Sequence, residues 1–543
     1  MYHYRINEIK TRIDESPAVL VAKVAKAVGV KPSDIAELEI RRRAIDSRRK
    51  PDIRFVYTVD FKCLKYLGKK AQLIDDSKVV EEEPTPGDKE LKGRPVVVGM
   101  GPCGIFAALE LAKRGWKPLV LERGPAMDGR VRAVEEFRTT HVLNPEANML
   151  FGEGGAGTFS DGKLGTGIKD GNIRNVLRTF ADAGAGEDIT YLAKPHIGTD
   201  VLRTTITNLR NKIIECGGEV RFNTRVDSFK IVDGELESIE VTNGSATETI
   251  HTNALVLAIG HSARDTFAVL NDAGFNIEQK AFSIGVRMEH PQSMIDEAQY
   301  GKEALAKYGE LLPPADYKIS TRVAVPAGTA TRSATTADVT DARGALDTRG
   351  VYSFCMCPGG EVVVCSTKEG ELCVNGMSNR KRDSGTANSG ILCEVRISDY
   401  NNGDESDVLA GVRFQEKYEK LAYENGGGTF NPPKSTMADF LANHSPQIDN
   451  SLPDYAANSI RAAVPEFARK ISGYDNPAAI VTAVETRSSS PVRIIRDENG
   501  ESNIHGIFPA GEGAGYAGGI TSAACDGIRA AHNLIRKYEK YAR

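Results

Sequence analysis

The chain has 543 residues and a net charge of −4; 41% of its residues are hydrophobic and 26% are charged. A chain of this length exceeds what one hydrophobic core holds and predicts about three structural units. The nearly balanced charge argues against a general attraction to nucleic acid or to an anionic membrane surface. The chain contains no run of about eighteen apolar residues, so no membrane-spanning helix is predicted.

The N-terminus and the cysteines bear on the compartment. The first residues, MYHYRINEIKTRIDESP, carry charges every few positions and contain no apolar secretory segment. Nine cysteines are scattered along the chain, which favours free thiols in a reducing compartment over a disulfide framework. We therefore predict a cytoplasmic protein.

Residues 1–80 predict a small α+β domain. Ser16–Gly29 has the pattern of a capped amphipathic helix, and Ile53–Phe61 is β-branched and aromatic like a strand. The basic run Arg41–Lys50 could bind RNA, but no pattern of stacking aromatics accompanies it, so a solvated hairpin is favoured. A linker rich in proline, glycine and charge is predicted at residues 81–93.

Residues 94–275 predict the first part of a Rossmann-like dinucleotide-binding domain. The apolar strand Val96–Val98 leads into G-x-G-x-x-G and a helix that ends at Gly115. In this motif the glycines make a tight turn, let the backbone approach a pyrophosphate, and allow close packing of helix on strand. A second strand delivers Glu122, whose carboxylate suits the ribose hydroxyls of an adenosine and would repel a 2′-phosphate. The predicted contact residues here are Gly99, Gly101, Pro102, Cys103, Gly104, Glu122 and Arg123.

Two arginines follow in DGRVRAVEEF. Arg130, with Arg132, could neutralise the pyrophosphate by charge-assisted hydrogen bonds. The alternative interpretation is a solvated, charged helix face.

A second glycine-rich stretch, FGEGGAGTFSDGKLGTG, spans Phe151–Gly167. It has too many glycines for the interior of a helix or strand, and too few charges for a linker. We predict contact with cofactor or substrate; the alternative is a flexible surface loop. The predicted contact residues are Gly154, Gly155, Gly157 and Ser160.

The apolar strand Ala254–Gly260 ends in a further candidate position. Gly260 is predicted to lie at the cofactor, because ligands bind at the carboxyl ends of parallel strands. His261 follows and could act as a general acid, or it could simply close a hydrogen bond within its loop.

Residues 276–480 predict an inserted α+β domain that covers the substrate. They contain no second G-x-G-x-x-G, so NAD(P)H would bind only transiently in the substrate cleft, or another protein would supply the electrons. Four cysteines here follow C-x-C-x7-C-x7-C, which lacks the C-x2-C spacing of zinc or iron–sulfur sites, and we predict no metal. Strand alternation would place Cys355 and Cys357 on one face, with Cys365 on a neighbouring strand, as buried small hydrophobic residues.

Residues 481–543 predict the second part of the dinucleotide-binding domain. Arg487 and Arg493, in VETRSSSPVRI, could anchor an anionic substrate or form structural salt bridges. A strand, Gly506–Ala510, then leads into a glycine-rich turn and a helix. Tyr516 within this turn could cover the cofactor or donate a proton. The predicted cofactor contacts are Gly511, Glu512, Gly518, Gly519 and Ile520.

This late strand, turn and helix resembles the second FAD motif of flavoproteins with two dinucleotide-binding domains. In that motif the acidic residue is usually aspartate, and Glu512 takes its place here. The resemblance implies that Glu512 accepts a hydrogen bond from a ribityl hydroxyl. It also implies that the helix N-terminus stabilises negative charge at the flavin.

The chain as a whole resembles the family of NAD(FAD)-utilising dehydrogenase-like flavoproteins. The matching pieces include VVVGMGPCGIFAALELA, FGEGGAGTFSDGKL, FSIGVRMEHPQ, YSFCMCPGG and PAGEGAGYAGGITSAACDG, and they extend over nearly all of the chain after residue 90. The resemblance implies FAD and an oxidoreductase that transfers hydride, by dehydrogenation or alkene reduction, on a small organic substrate. Two alternatives stay open: a tRNA-modifying or RNA-associated flavoprotein, and a flavin-binding regulatory protein without turnover.

Overall fold

The first unit is a four-stranded antiparallel sheet in the order β2-β3-β1-β4, covered by one helix. The computed structural model describes residues 1–75, 83–324 and 348–540. The unit comprises β1 (Tyr2–Arg12), α1 (Leu20–Val28), β2 (Ile35–Asp46), β3 (Arg54–Cys63) and β4 (Gln72–Leu73). The side chains of Leu20, Val24 and Val28 pack from α1 onto the sheet, so the predicted helix and strand are both present.

The basic run at residues 41–50 forms the end of β2 and the turn into β3. Arg41 forms an ion pair with the buried carboxylate of Asp60, and Arg48 lies 2.8 Å from Asp46. The guanidinium of Arg43 lies 5.1 Å above the ring of Phe55. The segment is thus a hairpin in which Arg41, Arg43 and Arg48 have partners within the chain.

The middle of the chain alternates helices and strands. Its elements are β5 (Val96–Val98), α2 (Pro102–Lys113), β6 (Leu119–Leu121), α3 (Met127–Thr140), α4 (Ile173–Phe180), α5 (Thr199–Glu215), β7 (Glu219–Arg221), β8 (Thr224–Val232), β9 (Glu235–Asn243), β10 (Ala246–His251), β11 (Leu255–Leu257) and α6 (Arg264–Asp272).

The rest of the chain is rich in strands. Its elements are β12 (Ile277–Gln279), β13 (Phe282–Pro291), α7 (Gln292–Tyr300), α8 (Lys302–Tyr308), β14 (Ser320–Ala324), β15 (Thr348–Cys357), β16 (Glu361–Cys365), β17 (Cys373–Met377), β18 (Thr386–Val395), α9 (Ala410–Asn425), β19 (Lys434–Thr436), α10 (Met437–Leu441), α11 (Pro446–Asp449), α12 (Asp454–Ala468), β20 (Ile480–Glu485), β21 (Val492–Ile494), β22 (Ile507–Pro509) and α13 (Ile520–Lys537).

A five-stranded parallel sheet organises the nucleotide-binding part of the fold. Its order is β22-β11-β5-β6-β7, so the last strand of the chain pairs beside strands from the first half. Helices α2 and α13 form one hydrophobic core with one face of this sheet. The antiparallel sheet β8-β9-β10 forms a second core with the other face. The predicted α/β class with a Rossmann-like domain is confirmed.

The inserted part is built on a six-stranded antiparallel sheet in the order β14-β15-β18-β13-β20-β19. Its core also includes the helices α7, α9 and α12. Strand β20 belongs to this sheet although it crosses the boundary predicted at residue 480, because Ile480–Glu485 pairs with β13. We therefore propose that the inserted part extends at least to Glu485.

No helix among the described residues is both long enough and apolar enough to cross a membrane.

The packing of α2 against the preceding turn predicts a severe effect of one methyl group. A Cβ at Gly104 would lie 1.8 Å from the carbonyl oxygen of Gly99. Because this oxygen belongs to the backbone, it could move away only if the turn itself shifted. We expect Gly104→Ala to destabilise this domain by about 1–3 kcal/mol, measured as a lower Tm by circular dichroism. Gly171→Ala is the matched control, since a Cβ there meets no atom within 4 Å; equal Tm values for the two variants would contradict the packing argument.

Candidate functional site

A cavity of about 350 Å³ lies at the carboxyl ends of β5, β6 and β11. It brings together both of the predicted glycine-rich motifs and the loop between them. The predicted cofactor contacts that line it are Gly99, Gly101, Pro102, Cys103, Glu122, Arg123, Gly155, Gly157, Ser160, Gly260, Glu512, Gly518, Gly519 and Ile520. One groove therefore joins segments that lie about four hundred residues apart in the sequence.

The first glycine turn and the glycine-rich loop approach each other at backbone distance. A Cβ on Gly155, whose φ is +61°, would lie 3.0 Å from the Cα of Gly101. Gly99 has a φ of +96°, and a Cβ there would lie 2.4 Å from the carbonyl oxygen of Ala258. Helix α2 begins directly after Gly101, so its N-terminal N–H groups and positive dipole end face this narrow passage. The passage fits a pyrophosphate, because glycine backbone and the N-terminal N–H groups of α2 form its walls.

Glu122 lines the cavity at the end of β6, where its carboxylate is fixed by three backbone donors. Oε2 accepts a hydrogen bond from Met100 at 2.9 Å, and Oε1 accepts from Gly124 at 2.9 Å and Gly152 at 3.1 Å. A carboxylate has about four acceptor positions, so one remains for a ligand hydroxyl. The position and charge of Glu122 fit the adenosine ribose.

Arg123 lies beside Glu122, but protein carboxylates occupy its guanidinium. It donates to Glu146 at 2.7 and 3.0 Å and to Asp265 at 2.9 Å from two nitrogens. Its guanidinium also lies 4.4 Å above the ring of Phe151. Arg123 therefore forms a wall of the cavity and holds the neighbouring loop in place.

The structure places four predicted contacts behind the cavity wall, where they shape the backbone. A Cβ at Gly154 would lie 2.1 Å from the hydroxyl of Thr158, and one at Gly511 would lie 2.8 Å from Cys103. Gly104, as described above, packs α2 against Gly99. The fourth of these residues, Arg130, has a different structural role.

Arg130 was predicted to neutralise the pyrophosphate, and its position contradicts that prediction. Its fully buried guanidinium donates to the carbonyl of Asn148 at 3.0 Å and to those of Glu153 and Gly155 at 2.6 and 2.8 Å. Burial lowers the pKa of Arg130 to about 10, although Glu122 and Glu153 raise it. Arg130 thus supports the glycine-rich loop from below. Its neighbour Arg132 is exposed on the same helix.

Glu512 lines the cavity at the end where the resemblance implies the flavin. Burial raises the pKa of its carboxyl to about 7, and the ammonium group of Lys280 partly offsets this effect. Lys280 itself donates to the hydroxyl of Ser489 at 2.7 Å. A carboxyl with a pKa of about 7 changes its charge near neutral pH.

Tyr516 and Arg493 lie outside the cavity, contrary to their predicted roles. Two guanidinium groups lie close to the ring of Tyr516, with Arg496 at 3.8 Å and Arg493 at 5.2 Å from the ring centre. Arg496 continues to Asp526, which it contacts at 2.9 and 3.0 Å. Asp526 in turn accepts a hydrogen bond from the backbone of Gly511 at 2.7 Å, so this stack holds the glycine-rich turn from outside.

Arg487 does line the cavity, but it takes part in a buried ion cluster. Its guanidinium binds both oxygens of Glu419, at 3.0 and 2.7 Å, and Arg264 binds the same carboxylate at 2.7 and 2.9 Å. The remaining nitrogen of Arg487 donates to Thr367 at 3.1 Å. The structural salt bridge, one of the two predicted alternatives, is therefore the arrangement found.

His261 lines the cavity as a neutral imidazole. Burial, and after it the nearby guanidinium of Arg487, lower its pKa to about 4. Its Nδ1 lies 3.0 Å from the hydroxyl of Ser262, and the backbone of Arg487 bonds to the ring. An imidazole with this pKa carries no extra proton at neutral pH, so its contacts fit the predicted alternative, a hydrogen bond within the loop, better than a general acid.

The inserted part contributes cavity residues that the sequence did not single out as a site. They are Phe354, Cys355 and Asn375, together with Lys163 from the glycine-rich loop and Ser488 after β20. Lys163 lies 3.1 Å from Asp161, a buried carboxylate that Arg382 also binds, at 2.6 and 3.0 Å. The segment YSFCMCPGG, which contains Phe354 and Cys355, could have indicated this part of the cavity. From the sequence alone, its cysteines are interpreted as packing residues.

The cysteines depart from the predicted strand alternation. The pairing of β15 with β18 is irregular between Phe354 and Cys357, and Cys355 has a φ of +39°. Cys365 lies opposite Cys373 in the separate hairpin β16–β17, so the prediction of Cys365 on a strand next to β15 is wrong. Among the described residues, no group of three or more metal-binding side chains is close enough to hold an ion.

Comparisons with known proteins place this geometry in context. The family model described as "FAD-dependent protein, C-terminal domain-like" matches residues 281–488, and a model for a domain of unknown function matches residues 3–62. An uncharacterized protein of Clostridium beijerinckii is 41% identical over 558 aligned positions, covering 98% of this chain and 99% of that protein.

Solved structures give more distant similarities. The flavin-dependent brominase Bmp2 has a TM-score of 0.35 at 12% identity, covering 83% of this chain and 81% of the brominase. The L-proline dehydrogenase of P. horikoshii has a TM-score of 0.29 at 14% identity, covering 81% of this chain and 92% of the dehydrogenase. Similarities at this level assign neither a reaction nor a substrate.

The Arg264–Glu419–Arg487 cluster predicts a large cost for removing its negative charge. We expect Glu419→Gln to destabilise the protein by about 3–5 kcal/mol, because two buried guanidinium groups would lose their counter-charge. The matched control is Glu416→Gln, on the same helix, and thermal unfolding is the measurement.

The pH dependence of the same contribution has a definite sign. Burial alone would raise the pKa of Glu419, but Arg264 and Arg487 outweigh burial and hold it well below the ordinary value. The stabilisation is therefore present at neutral pH and is lost as the pH falls below about 4. Equal Tm values for the two variants at neutral pH would contradict this interpretation.

Proposed function

Because the chain belongs to a family of FAD-dependent proteins, with FAD as its cofactor, we propose that it is a FAD-dependent oxidoreductase acting on a small organic substrate. The observation that carries this proposal is the single cavity lined by Gly99, Glu122, Gly155, Glu512 and Gly519. The isoalloxazine ring of FAD supplies hydride chemistry when it is bound. The protein then has to bind, orient and shield the reactants.

The proposed binding mode assigns one part of the cofactor to each part of the cavity. Glu122 would hold the adenosine ribose, and the N-terminal turn of α2 would face the pyrophosphate, with Gly155 above it. Glu512 and the N-terminal end of α13 would hold the ribityl chain and the flavin ring. The positive end of α13 favours negative charge at the ring, which suits a cofactor that accepts electrons.

The substrate would enter from the side formed by the inserted part. This side carries Lys163, His261, Asn375 and Ser488, which offer polar groups beside the apolar ring of Phe354. Arg487 would shape this side through Glu419 and leave substrate contact to its neighbours. We propose NADH or NADPH as a transient donor in this space, since residues 276–480 carry no second G-x-G-x-x-G.

A visible spectrum of the purified full-length protein tests the cofactor, and anaerobic mixing with NADH and NADPH tests turnover. The expected result is a flavin spectrum, FAD after heat release, and bleaching by one donor followed by reoxidation with an organic acceptor. A colourless protein that refuses added FAD would end the proposal. Bound flavin that no donor reduces would favour a regulatory flavin-binding protein, and co-purified RNA with salt-dependent affinity would favour the RNA-associated alternative.

The raised pKa of Glu512 predicts that FAD affinity depends on pH. A hydroxyl donor stabilises the carboxylate form, so binding favours ionised Glu512 and tightens as the pH rises through about 7. We expect the Kd for FAD to fall about tenfold between about pH 6 and about pH 8. Fluorescence titration of FAD-depleted protein is the measurement.

Two variants separate this effect from other titrations. Glu512→Gln should bind FAD with a Kd that is nearly constant over this range, because it has no ionisable group there. Glu498→Gln changes an exposed carboxylate in the turn before β22 and should keep the wild-type dependence. A pH-dependent Kd that survives in Glu512→Gln would contradict the assignment.

A further inference from the structure

Two cysteine sulfurs lie close together at the substrate side of the cavity. Cys355 and Cys357 follow one another at the irregular end of β15, and their Sγ atoms are 3.9 Å apart. A regular strand would hold residues of this spacing about 6.5 Å apart along the chain. The positive φ of Cys355 breaks that extension and turns the two sulfurs toward each other.

The two sulfurs differ in access. Cys355 is partly exposed and lines the cavity, whereas Cys357 is completely buried beneath it. The Sγ of Cys357 also lies 3.2 Å from the carbonyl oxygen of Cys355. A molecule in the cavity can therefore reach Cys355 first and Cys357 only through Cys355.

The charges around the pair favour a thiolate at Cys355. Hydrogen bonding from Cys357, then the cations Lys163 and Arg287, lower the pKa of Cys355, against burial and the opposing charge of Asp161. The pKa of Cys357 is raised, because its proton is shared with Cys355 and its surroundings are dry. Glu485 is the other carboxyl facing this cluster, and Arg287 contacts it at 2.7 Å.

Arg287 also fixes the geometry of the pair. Its fully buried guanidinium donates to the carbonyl of Cys355 at 2.9 Å and to the amides of Asn375 and Asn388, each at 2.9 Å. A Cβ at Gly376 would lie 2.3 Å from this guanidinium and 2.8 Å from the Sγ of Cys357. The neighbouring backbone thus leaves room for the sulfurs and the guanidinium and for no further atom.

We propose that Cys355 and Cys357 form a reversible dithiol–disulfide pair that exchanges with small disulfides entering the cavity. The Cys355 thiolate attacks one sulfur of a disulfide RSSR; the substrate S–S bond breaks, and one RS⁻ leaves. Cys357 then attacks Cys355 Sγ, closes the Cys355–Cys357 bond and releases the second thiolate. The proton of Cys357 goes to one of the two thiolates, giving RS⁻ and RSH.

The balance of this step needs no other reactant. Two protein sulfurs are oxidised and two substrate sulfurs are reduced, with a transfer of two electrons, and small thiols reverse it. The exchange goes beyond the proposed oxidoreductase function and does not depend on it. The closed bond needs an Sγ–Sγ distance of about 2.05 Å, so closure requires the two sulfurs to approach each other from 3.9 Å.

The other facing cysteines provide an internal comparison. Cys365 and Cys373 are opposite one another in β16 and β17, but both are fully buried, and burial raises the pKa of both thiols. Neither belongs to the residues that line the main cavity. The proposal therefore assigns reactivity to Cys355 and leaves this second pair as thiols.

The test is oxidation of the purified full-length protein by 2-hydroxyethyl disulfide, trapped with N-ethylmaleimide under denaturing conditions. Tryptic peptide Gly350–Lys368 contains Cys355, Cys357 and Cys365. We expect the wild-type peptide to lose two hydrogen atoms and to carry one alkyl group, on Cys365. A wild-type peptide that stays fully alkylated in excess disulfide would overturn the proposal, as would a bond joining Cys365 to Cys373.

Variants assign the order of attack. Cys357→Ser should accumulate a mixed disulfide on Cys355, and Cys355→Ser should lower the rate of exchange by more than about tenfold. Cys216→Ser removes a half-buried cysteine at the end of α5 and should behave as wild type. Equal exchange rates for Cys355→Ser and wild type would overturn the proposal. The flavin spectrum, recorded separately, reports on the oxidoreductase function.

Discussion

Close contact between backbones, at positions where only glycine fits, is the constraint on which the cavity depends. Gly104 brings α2 against the turn at Gly99, and Gly155 brings the long loop against Gly101. Gly527 does the same for the last helix: a Cβ there would lie 2.1 Å from the carbonyl oxygen of Cys103. Helices α2 and α13 therefore cross at contact distance, and their N-terminal ends are brought to one groove. The two glycine motifs meet because their helices pack, and the cavity lies at that meeting point.

Buried ion pairs then fix the pieces that surround the groove. Glu419 of the inserted part binds Arg264 at the start of α6, which belongs to the nucleotide-binding part. Asp526 of α13 binds Arg496, and Arg287 binds Glu485 within the six-stranded sheet. Buried pairs of this kind contribute little net stability, since desolvation offsets their attraction, but a misplaced partner costs several kcal/mol. We infer that they select one arrangement of the inserted part over the cavity.

The sequence was sufficient to predict structure that is encoded locally. It was insufficient to predict the role of a side chain whose partners are distant in the sequence. A strand, a glycine turn, a helix and an acidic strand end are encoded within about thirty residues, so the local structure from Gly99 to Glu122 could be predicted from spacing. The role of Arg487 depends on Glu419, which is 68 residues away in the sequence, and that of Arg130 depends on carbonyls folded around it. Cys355 was misread because the strand period assumes a regular backbone, and the irregularity of β15 is not visible in its composition.

The two ends of the cavity differ in their ionisable groups, and this difference limits which residues can donate a proton to a reaction there. The dinucleotide end is made of backbone donors and the carboxylate of Glu122, and it offers position and charge. At the other end His261 is neutral, because burial lowers its pKa to about 4, while Cys357 and then Asp161 raise the pKa of Lys163 against burial and keep its ammonium group charged. Glu512, with a pKa near 7, changes protonation at neutral pH. A reaction here that consumes a proton has Lys163 or Glu512 to draw on, and the imidazole of His261 is the group least able to give one.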